Sequence, residues 1–293
     1  MGDAQQTVLI TGATDGLGRA AALLLAEKGY RVFAAGRSTE KRAELDRLAA
    51  AKKLPLESLE LDVCDDSSVN RAVQQILQKA TNIDALINNA GVGLMAVAEE
   101  LKLDDLRRLY ETNIFGLLRV TQAILPHMRQ RKSGRILMLS SVAGILTPPT
   151  YGAYSSSKHA VEALSNALRL ELYPFNIEVI LIEPGYIMTN FQQTAKEQAV
   201  SYIEGSATSP YAKIYAGAIA GATNSRRESK TTPEDCARVI LDAVEASHPK
   251  ARYTVTPLAK WAAFGKRMLP DTLMDSFLRR KFGIVREERE EED

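Results

Sequence analysis

Short apolar runs separated by amphipathic stretches recur along most of the chain, the pattern of strands alternating with helices. Val8-Leu9-Ile10 predicts a first strand, and the alanine- and leucine-rich stretch from Ala20 to Lys28, closed by Gly29, a first helix. Further strands are expected at Arg31 to Ala35, Leu56 to Val63, Ile83 to Ile87, Gly134 to Leu139, Asn176 to Ile182 and Arg252 to Thr256. Between them the period shifts to that of helices: Ser38 to Ala51, Asp65 to Ala80, a long stretch from Leu103 to Arg131, one around Tyr154 reaching Tyr173, and Thr232 to Ala246. From Asn190 to Lys230 the pattern loosens into glycine, alanine, serine and tyrosine, read as a mobile lid of short helices. Leu258, Trp261, Phe264, Met268 and Leu269 mark one face of a last helix. The alternation implies an α/β fold, a doubly wound and mostly parallel seven-stranded sheet with helices on both faces and its ligand crevice at the strand carboxyl ends. We expect one domain over 1–257, with 190–230 as its lid, then a helical extension and a charged, disordered tail over 258–293.

Composition narrows the class. With 293 residues, 45% hydrophobic and 25% charged, the chain is ordinary globular material. Thirty-seven basic side chains against 36 acidic ones leave a formal charge of +1, so no overall basic field recommends a nucleic acid. Cys64 and Cys236 lie far apart and the three histidines do not cluster, which argues against a disulfide framework, a metal site and a serine-histidine nucleophile. A polar N-terminus and the lack of a long apolar run lead to the expectation of a cytoplasmic protein.

The polar motifs gather at predicted strand ends. Thr11-Gly12-Ala13-Thr14-Asp15-Gly16-Leu17-Gly18 joins the first strand to the first helix, either as a plain turn or as a cradle in which backbone approaches a pyrophosphate at a helix N-terminus. At the end of the second strand Arg37 and Ser38 stand where a carboxylate would read the ribose of NAD. A guanidinium and a hydroxyl suit a 2′-phosphate instead, so NADP(H) is favoured over NAD(H), unless Arg37 merely begins the next helix. Asp62-Val63 would touch an adenine or cap a helix, and Asn88-Asn89-Ala90-Gly91 would place amides at the sheet edge or simply turn. Asn113 is a lone amide in an apolar helix, Ser141 follows a strand, and Pro184-Gly185 with Ile187 and Thr189 follows another. Tyr154 and Lys158 lie one helical turn apart, so a phenol and an ammonium share a face. With ten tyrosines in the chain, roughly half such a match arises by chance.

Taken together and in this order, Thr-Gly-x-x-x-Gly-x-Gly, Asn-Asn-Ala-Gly, the helical Asn113, Ser141, Tyr-x-x-x-Lys and Pro-Gly resemble the short-chain dehydrogenase/reductase family over about residues 7 to 255. That resemblance implies a Rossmann-type fold and an oxidoreductase that moves a hydride between nicotinamide and a carbonyl or alcohol. It implies Tyr154 as the acid or base, Ser141 bonded to the substrate oxygen, Lys158 holding the nicotinamide ribose and lowering the tyrosine pKa, and Asn113 organising a proton-relay water. Cofactor contacts then fall to Gly12, Thr14, Asp15, Gly16, Leu17, Gly18, Arg37, Ser38, Asp62, Val63, Asn89, Ala90, Gly91, Tyr154, Lys158, Pro184, Gly185, Ile187 and Thr189. The glycine spacing is that of the simple oxidoreductase branch. Ile182-Glu183-Pro184-Gly185 and the C-terminal extension are similar to the retinol and hydroxysteroid dehydrogenase group.

Leu94, Tyr151, Tyr186, Met188 and Phe191 would line an apolar substrate pocket or belong to the core. The expected substrate is a lipophilic carbonyl or alcohol such as a steroid, retinoid or ketone. A 3-oxoacyl thioester reductase and a non-catalytic NADP-sensing protein are the alternatives. Family resemblance also implies a homodimer or homotetramer through the helices at 103–131 and 154–173. The helix at 258–269, with Lys260, Lys266 and Arg267 beside its apolar face, would pack over the pocket mouth, on a subunit, or on a membrane surface.

Overall fold

A computed structural model describes residues 5–188 and 191–285. Seven parallel strands form one sheet in the order β3-β2-β1-β4-β5-β6-β7. They are β1 (Thr7–Ile10), β2 (Arg31–Gly36), β3 (Leu56–Glu60), β4 (Ala85–Asn88), β5 (Gly134–Leu139), β6 (Ile177–Glu183) and β7 (Arg252–Thr254). The order reverses between β1 and β4, which opens a crevice at their carboxyl ends.

Strands buried on both faces must alternate between two cores, and these do. Leu9, Phe33, Leu86, Ile136 and Val179 pack under α3 (Asp66–Lys79), α5 (Leu117–Arg131) and α6 (Gly152–Glu171). Val8, Ile10, Val32, Ile87, Leu137 and Ile180 pack against α1 (Gly16–Glu27) and α9 (Pro233–Glu245). Polar caps set where helices begin: Asp15 for α1, Ser38 for α2 (Thr39–Ala51), Asp65 for α3, and a reciprocal Thr232/Asp235 box for α9.

The structure departs from the periodicity in four places. β3 stops at Glu60, so Asp62 and Val63 lie beyond it, in a turn where the Asp62 carboxylate accepts from the Cys64 N–H. The stretch 103–131 is broken into α4 (Leu103–Tyr110), a π-helical turn (Glu111–Gly116) and α5, because Asn113 turns its amide inward. Residues 191–228 form two long helices, α7 (Phe191–Gly205) and α8 (Ala212–Glu228), where short ones are expected. Two buried tyrosines pin them: Tyr202 Oη accepts from the Lys102 N–H at 3.0 Å, and Tyr215 Oη accepts from the Val97 N–H at 3.0 Å and donates to Glu100 at 2.8 Å. After α10 (Pro257–Met268) comes a further helix, α11 (Asp271–Lys281). Thr189 and the 286–293 tail lie outside the described residues.

Candidate active site

The glycine turn closes onto the end of β4. Thr11 Oγ1 accepts from the N–H groups of both Asn89 and Ala90 at 3.0 Å, and Asn89 Nδ2 donates to the carbonyls of Thr11 at 2.9 Å and Gly12 at 3.0 Å. At Gly12 the backbone is left-handed (φ +63°), and a Cβ there would meet Ala90 Cα at 2.9 Å. One at Gly18 would meet the Gly12 carbonyl oxygen at 2.4 Å. The loop is therefore bare backbone by necessity. It presents the start of α1, with Gly16, Leu17 and Gly18, to a cavity of about 770 Å³.

That cavity unites the predicted cofactor residues. Along it lie Gly12, Thr14, Asp15, Gly16, Leu17, Gly18, Arg37, Ser38, Asp62, Val63, Asn89, Ala90, Gly91, Pro184, Gly185 and Ile187. At its β2 end Arg37 is largely exposed and stands 3.8 Å from Asp62, while Lys41 pairs with Asp15 at 2.5 Å. Ser38 Oγ accepts from the Lys41 N–H at 3.2 Å. Two cations and a hydroxyl thus meet two carboxylates at one corner, and a 2′-phosphate would compete with Asp15 and Asp62 for Lys41 and Arg37. The pattern-based reading missed Lys41, although its place in the first turn of α2, three residues after Ser38, was a usable signal.

At the other end Ser141, Tyr154 and Lys158 line the same cavity. Asn113 stands behind them: a Cβ on Gly91 would lie 3.3 Å from Asn113 Oδ1 and 3.8 Å from Lys158 Nζ. Its Nδ2 donates to Val92 O at 2.9 Å and to Ser157 Oγ at 3.0 Å, while Oδ1 accepts from Val92 N–H at 2.8 Å. Both amide hydrogens are spent on protein, so the side chain clamps the loop after β4.

Burial governs the titration of this group. Tyr154 is enclosed, and desolvation pushes its phenol far above the usual tyrosine range, with a hydrogen bond to Ser141 pulling the other way and Tyr151 adding to the rise. The expected lowering of the phenol by Lys158 is not met here. The ammonium donates to the Leu139 carbonyl at 2.7 Å and sits 5.7 Å from the Tyr154 ring centre. Burial lowers Lys158 itself to about 8, and Glu162, one turn further along α6, raises it. Arg252 bridges Glu162 to the buried Glu183 at the end of β6, bonding Glu183 at 2.5 Å.

Of the expected substrate-pocket residues, Tyr151, Tyr186 and Phe191 line the cavity, and Phe191 stacks obliquely on Tyr154 at 5.7 Å. Leu94 is buried in a cluster with Tyr202 and Tyr215, and Met188 is half exposed; neither is among the residues lining this cavity. The rest of the apolar wall comes from Leu146 and Pro148, from Ala218, Gly221 and Ala222 on α8, and from Phe277 and Leu278 on α11 with Phe282 just beyond it. No sequence signal placed α11 there, since that requires the chain to fold back over α8.

A sequence profile described as short chain dehydrogenase matches residues 6–200. The chain is 33% identical over 280 residues to a 3-ketodihydrosphingosine reductase of Bacteroides thetaiotaomicron, covering 95% of this chain and 98% of that one. It is 35% identical over 261 residues to retinol dehydrogenase 8 of Bos taurus, covering 86% and 82%, in keeping with the grouping read from residues 182–185. Among solved structures, the closed form of serine dehydrogenase complexed with NADP+ is 26% identical with a TM-score of 0.74, over 86% of this chain and 95% of that one. Family profile, sheet order and the converging motifs agree, and the chain belongs to the short-chain dehydrogenase family.

Proposed function

We propose that the protein is an NADP(H)-dependent carbonyl reductase or alcohol dehydrogenase acting on a lipophilic substrate, with Tyr154 as its acid and base. The observation that carries this reading is one continuous cavity, with a glycine cradle and the Arg37/Lys41 corner at one end and an aromatic and aliphatic wall around Ser141 and Tyr154 at the other. The bare backbone at Gly12 and Gly18 and the cations at Arg37 and Lys41 fit a phosphorylated dinucleotide. When bound, the nicotinamide supplies or accepts the hydride.

The chain's own residues handle the proton and the charge. With a pKa well above the usual tyrosine range, Tyr154 keeps its proton near neutrality and donates it to the carbonyl oxygen. The Ser141 hydroxyl hydrogen-bonds the same oxygen. Lys158, at about 8, is a cation at neutral pH and offsets the phenolate charge left after transfer. In oxidation the phenolate takes the alcohol proton. A chain 33% identical to a reductase named for a long-chain 3-ketone supports a lipophilic ketone. Pairing of two copies through the stretches 103–131 and 154–173 is supported by an exposed large apolar side chain on each, Phe115 in the π-helical turn and Leu170 on α6.

Purified protein should oxidise NADPH faster than NADH when offered a long-chain ketone, a steroid and a retinoid. Tyr154→Phe should cut turnover by about 10²- to 10⁴-fold while NADPH still binds by fluorescence titration. A variant with full rate would refute Tyr154 as the acid. Preference for an acyl thioester in the same panel would favour a 3-oxoacyl reductase, and NADPH binding without turnover of any carbonyl would favour a sensing role.

A further inference from the structure

α10 and α11 invert the usual rule of burial. Their small side chains point inward, with Ala259 and Ala262 fully buried and Met274 closing a small core with Leu146. Most of their large apolar ones, Met274 and Leu278 excepted, point out: Phe264 and Met268 are each 65% exposed, and Trp261, Leu269, Leu273 and Phe277 are exposed beside them. Trp261, Phe264 and Met268 fall on one helical stripe, as do Leu273 and Phe277, and the Trp261 and Phe277 rings, 5.0 Å apart, join the two stripes into one patch. A patch of this kind marks a binding surface.

Charge identifies the occupant. Residues 257–281 hold six basic and two acidic side chains; Lys260, Lys266, Arg279 and Arg280 on the same two helices are exposed, Lys266 pairing with Asp271 at 2.6 Å. Aromatic and aliphatic side chains together with cations suit the boundary between lipid headgroups and acyl chains. Phe277 is both in the patch and on the wall of the cavity, so the patch adjoins the cavity.

We propose that the α10–α11 hairpin docks on an anionic lipid surface and opens the cavity toward it, so that a lipophilic carbonyl enters from the membrane. The route for substrate rests on the lipophilic-carbonyl reading above; the docking does not.

The test is co-sedimentation of the full chain with vesicles of phosphatidylcholine alone and of phosphatidylcholine with phosphatidylglycerol, alongside turnover of a short water-soluble ketone. Wild-type protein should pellet with the anionic vesicles, and both Phe264→Ser/Met268→Ser and Lys260→Glu/Arg280→Glu should lower partitioning by about tenfold or more. Turnover of the soluble ketone should stay unchanged, since these four side chains lie outside the cavity lining. Wild-type protein left in the supernatant, or variants that pellet as well as wild type, would overturn the proposal. So would equal pelleting with both lipids. Loss of a dimer in Phe264→Ser/Met268→Ser without any vesicle binding by wild type would assign the patch to a second copy instead. Vesicle binding without turnover of any ketone would leave docking intact and remove the functional reading alone.

Discussion

Asn113 holds the backbone of Val92 from both sides, its Oδ1 accepting from the Val92 N–H at 2.8 Å and its Nδ2 donating to the Val92 carbonyl at 2.9 Å. The π-helical turn exists around this contact. An α-helix from 103 to 131 would carry its amide on a regular stripe, whereas the wider turn lets it face the loop beyond β4.

Asn113→Ala should therefore cost stability as well as activity. Removing the amide takes both of these hydrogen bonds from the half-buried Val92 backbone, at about 2 kcal/mol. We expect a lowered Tm in thermal unfolding together with a lowered kcat. Lost activity at an unchanged Tm would limit Asn113 to the chemistry.

Glu162→Gln should change the pH profile. Burial has lowered Lys158 to about 8, and Glu162 opposes that fall. Without the carboxylate the Lys158 pKa drops further, so the ammonium is lost at lower pH. The alkaline limb of kcat/KM should move down, with little change well below neutrality, where the lysine remains charged. An unmoved alkaline limb would show that Glu162 does not act on Lys158.

Arg252→Met should be among the most destabilising changes on this side of the sheet. Arg252 is the shared partner of Glu162 and of Glu183, whose side chain is 2% exposed, and its loss takes the guanidinium from two buried carboxylates at a cost of about 3 to 5 kcal/mol. Chemical denaturation reads the change directly; a midpoint close to wild type would mean that the carboxylates find other partners.

Cofactor choice rests on the β2 corner. Arg37→Asp should raise KM for NADPH and shift preference toward NADH, and Lys41→Ala should weaken NADPH alone, each by about tenfold or more. Unchanged ratios of kcat/KM for the two cofactors would remove both residues from phosphate recognition.

Gly217→Val should disturb the cavity roof without touching the chemistry. A Cβ at Gly217 would lie 2.1 Å from the Phe282 carbonyl oxygen, so any side chain there pushes the end of α11 off α8. KM for a bulky ketone should rise while that for a small one changes little. Equal effects on both would mean that α11 does not shape the substrate end.

Much of this protein is determined locally. Continuous apolar runs between amphipathic stretches specify strands buried on both faces and the helices that cover them, and their alternation along the chain specifies a parallel sheet. The glycine turn, Asn89 to Gly91, Ser141 and the Tyr154/Lys158 pair were legible because each is a short motif at the end of a strand or on one face of a helix, and the sheet then brings strand ends together. Contacts between segments distant in sequence were not legible. The clamp of Asn113 on Val92 breaks a helix that periodicity reads as continuous. The Lys158 ammonium donates a hydrogen bond to the Leu139 carbonyl, and desolvation, which depends on everything packed around Tyr154, moves the phenol opposite to what a neighbouring cation alone would do. The wall supplied by α11 depends on the chain folding back so that Phe282 meets Gly217 and Gly221. Local patterns encode the secondary structure and its polar ends; burial and long-range packing decide which side chains share a cavity and how they titrate there.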